Sequence, residues 1–158
     1  MDTLFVGKNL IVLNEVDSTN TFAGQLLASQ PAEGTVVRAD YQNRGRGQQS
    51  STWISESGAN LTFSVILYPT FLQPDRSFSL NKIVSLALLA CLQEFLPDQE
   101  IQIKWPNDLL INRKKVAGIL MENQMDPRQL KSAVIGLGLN VNQTGFPSDL
   151  ENTATSMA

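Results

Sequence analysis

The chain has 158 residues and a formal net charge of −3, and 42% of its residues are hydrophobic against 17% charged. This composition is typical of one globular domain and argues against a disordered or fibrous protein, while the acidic balance argues against a general affinity for nucleic acid. The absence of histidine excludes imidazole acid–base chemistry and histidine-ligated metal sites. The single cysteine, Cys91, permits no intramolecular disulfide.

The sequence predicts neither export nor membrane insertion. Residues 1–14 lack a charged start followed by an apolar stretch and a small-residue cleavage site. The longest apolar run, residues 83–92, is interrupted by Ser85 and is shorter than a membrane span. We therefore expect a cytoplasmic protein without a membrane-spanning segment.

The first part of the chain predicts a strand, a helix and a second strand. Residues 10–16 (LIVLNEV) and 35–41 (TVVRADY) are typical of β-strands. Between them, Asp17 or Ser18 can cap a helix, because short polar side chains accept hydrogen bonds from the free N–H groups of a helix start. The same free N–H groups would also suit a polar ligand.

Residues 43–60 (NRGRGQQSSTWISESGAN) predict a long loop, since they have no periodicity and are rich in Gly, Ser and Gln. A loop of this length inside a compact domain is usually functional or disordered. Its RGRG segment, residues 44–47, combines guanidinium groups that bind phosphate or carboxylate with glycines that let backbone N–H groups turn toward an anion. It matches neither the P-loop nor the dinucleotide-binding fingerprint.

The next two elements are a strand and a helix. Residues 61–69 alternate, with Leu61, Phe63, Val65 and Leu67 on one face. Residues 79–97 predict a largely buried helix, capped by Ser79 and ended by Pro97, in which Cys91 is a buried thiol.

The second half of the chain predicts consecutive strands at residues 101–105, 108–111, 115–123 and 133–142. In the last of them, one face carries Gly136, Gly138, Asn140 and Asn142. Glycine weakens a strand interior unless something approaches its backbone closely, either a packed helix or a ligand, and the asparagines favour a ligand. The order of the elements predicts an α+β fold, a mixed sheet with helices on one side.

A hairpin turn at Asn112 and Arg113 would bring polar groups from both of its strands together. Asn107 and Asp108 would start the first strand, and Lys115 would start the second. A lysine beside a carboxylate and an arginine–glycine loop could hold a carboxylate–phosphate mixed anhydride. Lys104 is a second candidate for that role, whereas Lys114 is interpreted as a solvated surface charge.

The order and spacing of several motifs resemble the catalytic domain of biotin protein ligase over nearly the whole chain. The most specific motif is KWPNDLLINRKKVAGILME, residues 104–122. The others are DSTN (17–20), YQNRGRG (41–47) with Trp53, GANLTFS (58–64), GLGLNVN (136–142) and ATS (154–156).

This resemblance implies a mixed sheet similar to the catalytic core of class II aminoacyl-tRNA synthetases, over residues 1–158. It implies no helix-turn-helix before the first strand, no DNA binding, and a chain that lacks the usual small C-terminal β-barrel. In the implied reaction, biotin attacks the α-phosphate of ATP, with Mg²⁺, to give biotinyl-5′-AMP and pyrophosphate. A lysine of a biotin carboxyl carrier protein, from acetyl-CoA carboxylase or a related carboxylase, then takes the biotinyl group. Pairing of two subunits as a homodimer stays open.

The resemblance also assigns the site residues. Lys115 and Arg46 would be catalytic, and Asp108 would be a candidate Mg²⁺ ligand. Biotin would contact Ser18, Thr19, Asn20, Gln42, Arg46, Gly47, Gln48, Lys115 and Gly118. ATP or the adenylate would contact Gly45, Arg46, Trp53, Lys104, Asn107, Asp108 and Asn140. This chemistry agrees with the absence of histidine, because a carboxylate already ionised at neutral pH needs no general base to attack phosphorus.

Two departures from the family pattern, the expected lack of the C-terminal β-barrel and an altered loop, leave alternatives open. The family loop often reads G-R-G-R-x-G-R-x-W, whereas this chain has Gln48 and Ser51 in place of the later arginines. A biotin-binding module without efficient ligation is therefore one alternative, and a relative of lipoate ligase or octanoyltransferase is another. The KWPND and K-x-AGI strings argue against the latter.

Overall fold

The computed structural model describes residues 3–158 as one mixed seven-stranded sheet with two helices. The strands are β1 (Leu10–Val16), β2 (Val36–Gln42), β3 (Leu61–Leu67), β4 (Ile101–Lys104), β5 (Asp108–Ile111), β6 (Lys114–Met125) and β7 (Leu130–Leu139). The helices are α1 (Thr19–Leu26) and α2 (Phe78–Phe95), with 3₁₀ turns at Leu27–Ser29, Gln48–Ser50 and Pro74–Arg76. The predicted α+β class is confirmed.

The strand order across the sheet is β1-β2-β3-β7-β6-β5-β4. β1 and β2 pair in parallel, joined by α1, and every other pair is antiparallel. The predicted hairpin turn is confirmed, since Asn112 and Arg113 both have positive φ angles, 49° and 68°. Positive φ at both central residues matches the twist of a two-residue hairpin. This turn brings the start of β6 beside β5.

The two helices lie on opposite faces of the sheet, so the prediction of helices on one side is wrong. Ala23 of α1 packs with Val134 of β7, whereas Leu80 of α2 packs with Ile135. Successive residues of a strand point to opposite faces, so these contacts separate the helices. The sequence pattern could not decide this, because β7 is buried on both faces.

Helix α2 differs from its prediction at its start and in its burial. It begins at Phe78 after Ser77, and no side chain caps it, because a 3₁₀ turn runs directly into it; the predicted cap at Ser79 is therefore wrong. Its outer face is exposed, including Ile83 at 60%, and Cys91 is exposed rather than buried. The helix is apolar around its circumference, so composition did not reveal its exposed side.

The segment containing α2 is longer and more apolar than we expected from the broken run 83–92. By length and composition alone, the 22-residue segment Pro74–Phe95 could cross a membrane, since its most apolar 18-residue stretch has a mean hydropathy of 1.3. In the fold, its Leu80 and Leu92 are buried in the core that covers one face of the sheet.

Candidate active site

A cleft of about 220 Å³ opens between the start of α1, the loop before β3, and strands β5 to β7. The predicted residues that line it are Ser18, Thr19, Asn20, Gln42, Arg46, Gly47, Gln48, Trp53, Asn107, Asp108, Lys115 and Gly118. The volume is below the range of about 300–1,000 Å³ common for ligand sites. A ligand of ordinary size would therefore require the loop to move.

The floor of the cleft is the glycine face of β7. A Cβ atom on Gly138 would overlap the ring of Trp53, and one on Gly136 would overlap the side-chain amide of Asn20, both within the 3.0 Å that Cβ atoms essentially never reach. The indole and the amide can therefore lie directly on the sheet, and both line the cleft. The predicted close approach of a helix is confirmed at Gly136, and both glycines line the cleft, while contact of this face with a ligand stays a prediction.

The start of α1 is buried and tied to the sheet by hydrogen bonds. Ser18 is its N-cap and accepts from the backbone N–H of Thr21 at 3.5 Å. Gln42 Oε1 accepts from the backbone N–H of Thr19 at 2.8 Å and lies 3.1 Å from its hydroxyl. Buried polar groups are costly unless they are hydrogen-bonded, so these contacts fix their orientation.

Ser64 belongs to this group, although neither the motifs nor the resemblance assigned a role to it. Its hydroxyl is fully buried on β3 and lies 2.8 Å from Thr19 Oγ1 and 2.6 Å from Asn20 Oδ1. The signal was present in the alternation of β3, where Thr62 and Ser64 share the face opposite the apolar residues.

The arginine–glycine loop folds back on itself beside the cleft. Arg46 and Thr52 form an isolated antiparallel β-bridge through their backbones, and the backbone N–H of Trp53 donates to Gly45 O at 2.9 Å. A side chain at Gly45 would overlap the Trp53 carbonyl, so glycine permits this close pairing. Gly45 itself lines a shallow groove on the other side of the loop rather than the cleft.

Lys115 lies on the cleft with its ammonium group between a carboxylate and an aromatic ring. Its Nζ lies 2.7 Å from Asp108 Oδ1, in an ion pair without the alignment of a hydrogen bond, and 5.8 Å from the Trp53 ring centre. A Cβ on Gly118 would lie 3.1 Å from Lys115 Cε, so this glycine leaves room for the lysine. Its backbone N–H and C=O both bond to the segment at residues 153–155, and this fixes the base of the side chain.

Three other residues, predicted to contact the nucleotide, either lie outside the cleft or bond to the backbone of a neighbouring segment. Lys104 is exposed on β4, paired in register with Asp108, and does not line the cleft. Asn140 is buried, and its Nδ2 donates to Thr155 O at 3.0 Å. Asn107 lines the cleft, and its Nδ2 donates to Ile119 O at 2.9 Å. Nucleotide contacts of all three stay predictions. Lys114 donates to the carbonyl of Glu151 at 3.1 Å, outside the cleft.

Within residues 3–158 there is no cluster of three or more carboxylate or cysteine side chains that could hold a metal ion. Asp108 therefore stands alone as a carboxylate on the cleft beside Lys115. This fits the way Mg²⁺ is bound at nucleotide sites, by one or two carboxylates together with substrate phosphates and water.

Comparison with known proteins agrees with this geometry. The sequence model of the biotin/lipoate A/B protein ligase family matches residues 12–140. The bifunctional ligase/repressor BirA of Bacillus subtilis is 38% identical over 160 residues, covering 100% of this chain and 49% of that protein. The biotin–(acetyl-CoA-carboxylase) ligase of Mycobacterium tuberculosis is 29% identical over 153 residues, covering 95% of this chain and 55% of that protein.

A solved structure of biotin protein ligase from Aquifex aeolicus, in complex with biotin and ATP, has a TM-score of 0.80 and 33% identity to this chain. The match covers 95% of this chain and 60% of that one, and the chain spans about half the length of the curated relatives it matches. The resemblance drawn from the motifs is confirmed: the chain belongs to the biotin/lipoate A/B protein ligase family.

Proposed function

We propose that this chain is the biotin-activating catalytic domain of a biotin protein ligase. It joins biotin to ATP as biotinyl-5′-AMP and then passes the biotinyl group to a lysine of a carrier protein. The observation that carries the proposal is the cleft itself, in which Lys115 and Arg46 flank a buried, neutral, hydrogen-bonding pocket. The solved relative from Aquifex aeolicus, which holds biotin and ATP, supports the choice of substrates.

The neutral end of the cleft favours biotin over lipoate. Thr19, Asn20 and Gln42 present hydroxyl and amide groups there without a net charge. Ser64 is buried and bonds to Thr19 and Asn20. The ureido ring of biotin is uncharged, with two N–H donors and a carbonyl acceptor, and these groups suit such a pocket. The dithiolane ring of lipoate carries no comparable donors and would leave the buried polar groups of the pocket without partners, which is costly.

The cationic end of the cleft suits the reacting groups. In the first step, a biotin carboxylate oxygen attacks the α-phosphorus of ATP, and pyrophosphate leaves. Lys115, with Arg46 of the loop, would hold the two anions together and offset charge on the phosphate oxygens, through positioning and electrostatics rather than proton transfer. Asp108 would hold Mg²⁺ together with the phosphates, and the ion would supply further neutralisation of phosphate charge.

In the second step, a carrier lysine attacks the acyl carbon of the adenylate as the neutral amine. The amide bond forms, AMP leaves, and the amine proton passes to solvent. The name of the Mycobacterium tuberculosis relative supports an acetyl-CoA carboxylase carrier. Gln48 and Ser51 line the cleft where the family often has arginines, so we expect weaker phosphate binding than in a loop with all of those arginines.

Ligand competition tests the choice of biotin. We expect biotin to bind in a titration calorimeter and an excess of lipoate not to displace it. Ser64→Ala should weaken biotin binding by about tenfold, because it removes a hydroxyl from the pocket network. Ser132→Ala is the matched control, since Ser132 is equally buried on β7 but bonds to Gln124 outside the cleft.

Displacement of biotin by lipoate at equal concentration would favour the lipoate ligase alternative. Equal losses of biotin affinity in the Ser64 and Ser132 variants would show that the pocket assigned to the head group is not where biotin binds.

A further inference from the structure

A carboxylate to which neither the motifs nor the resemblance assigned a role contacts two of the predicted site residues, Arg46 and Asn20. Glu122, on β6, accepts hydrogen bonds from both terminal nitrogens of Arg46. Nη2 lies 2.7 Å from Oε1, and Nη1 lies 3.2 Å from Oε2. Its Oε2 also accepts from Asn20 Nδ2 at 3.0 Å. One side chain therefore touches the loop arginine and the buried asparagine at the start of α1.

The contact with Arg46 fixes the direction of the guanidinium. A two-pronged arginine–carboxylate pair has a defined plane, so it sets orientation as well as attraction. Because the side chains of Arg46 and Glu122 are 46% and 38% exposed, such a pair contributes little to folding stability. The effect of Glu122 is therefore on where the loop arginine points rather than on whether the chain folds.

The contact with Asn20 holds the side-chain amide of that residue. Asn20 is 4% exposed, donates to Leu120 O at 3.2 Å and to Glu122, and presents its Oδ1 to the Ser64 hydroxyl at 2.6 Å. Two acceptors on one side and a hydroxyl on the other leave the amide one orientation. Glu122 is the charged one of the two acceptors that hold Nδ2, and Leu120 O is the other, so the carboxylate strengthens the orientation that presents Oδ1 to Ser64.

Each cation on the cleft is thus paired with its own carboxylate, Lys115 with Asp108 and Arg46 with Glu122. The two pairs differ in what they connect. Asp108 contacts a residue at the cationic end, whereas Glu122 joins the loop to the neutral pocket through Asn20. A ligand that orders the neutral pocket would therefore also order Arg46, the arginine that meets the carboxylate of the ligand.

We propose that Glu122 is a positioning residue that aligns Arg46 and Asn20 on the same bound biotin, coupling the loop to the head-group pocket. This inference rests on the proposed function, because it assigns both partners of Glu122 to one substrate. It identifies the residue that makes the loop respond to biotin.

The test is biotin affinity in the absence of ATP, measured by titration calorimetry for Glu122→Gln, Arg46→Ala and the double variant. We expect Glu122→Gln to weaken biotin binding by about ten- to a hundredfold, the range for a lost charge-assisted hydrogen bond. In the Arg46→Ala background the same change should cost markedly less, because residues that act through one another are not additive. In steady-state assays, KM for biotin should rise while KM for ATP changes by less than about twofold.

Glu15→Gln is the matched control. Glu15 is a second exposed glutamate that accepts from an asparagine, Asn43 at 2.8 Å, near the base of the same loop, and it does not line the cleft. We expect its biotin affinity to equal that of the unmodified chain.

An unchanged or tighter biotin affinity in Glu122→Gln would overturn the inference, since it would mean that the carboxylate is dispensable or competes with biotin for Arg46. Equal losses in the presence and absence of Arg46 would overturn it as well. Failure of the unmodified chain to bind biotin would instead overturn the proposed function, and the inference with it.

Discussion

Replacing Lys115 by alanine is expected to lower the rate of biotinyl-5′-AMP formation by about 10²–10³-fold, the usual loss for one group that stabilises developing charge in a closed site. The ammonium group lies on the cleft, and its close ionic partner is Asp108. Without it, the negative charge of Asp108 would have no cation beside it and would repel the phosphates of a bound nucleotide. The measurement is the initial rate of pyrophosphate release with saturating biotin and ATP.

Lys114→Ala is the matched control for this change. Lys114 precedes Lys115 in the chain, but its ammonium group bonds to the Glu151 carbonyl outside the cleft, so we expect an unchanged rate. Both variants should keep the melting temperature within a few degrees, because the Lys115 side chain is 36% exposed and Lys114 bonds to a backbone carbonyl, and contacts of these kinds contribute about 1 kcal/mol each. Normal turnover in Lys115→Ala, or equal losses in the two lysine variants, would refute the role assigned to Lys115.

Gly138→Ala is expected to displace Trp53 and, with it, the loop that carries Arg46. The added methyl would overlap the indole, and overpacking of this kind typically costs about 1–3 kcal/mol. The backbone N–H of Trp53 donates to Gly45 O, so movement of the indole would shift the loop backbone. We expect adenylate formation to fall at least about tenfold, since small misplacements of positioning groups cost rates of that order or more.

The readouts for Gly138→Ala are the adenylation rate and the tryptophan emission maximum. Since Trp105 is 76% exposed, the spectra are best recorded in a Trp105→Phe background. Gly24→Ala is the matched control, because Gly24 lies in α1 with no atom within 4 Å of the added methyl. It should stabilise the chain by about 0.5–1 kcal/mol. Identical emission in the two alanine variants would contradict the packing of Trp53 on Gly138.

Without the family resemblance, the residue pattern predicts only the part of the site whose residues lie close together in the chain. Asp108 and Lys115 flank a two-residue turn, so their meeting follows from local hairpin geometry once Asn112 and Arg113 are recognised. The glycine face of β7 was also readable, because alternation along one strand needs no knowledge of its neighbours.

Contacts that depend on the order of strands could not be read in this way. Ser64 and Glu122 lie on strands that are far apart in the chain, and they meet Asn20 only because β7 lies between β3 and β6. The opposite placement of the two helices was missed for a related reason. The alternation of β7 fits burial on both faces, and it does not say which helix covers which face.

Motif membership also overstated how close some residues lie to the cleft. Lys104 belongs to the same KWPND string as Asp108, and the hairpin pairs the two in register, yet Lys104 is exposed and does not line the cleft. Asn140 follows the two glycines, but it binds the segment near residue 155. A motif therefore shows which residues are neighbours in the chain, but whether their side chains reach the cleft depends on where each strand ends.

The most direct test of the central claim is to incubate the chain with biotin, ATP and Mg²⁺ and to follow pyrophosphate release together with the mass of the bound product. We expect stoichiometric pyrophosphate and a complex with the mass of biotinyl-5′-AMP. Biotin binding without pyrophosphate release would contradict the claim that these residues suffice for the first step, and would leave a biotin-binding module as the better description.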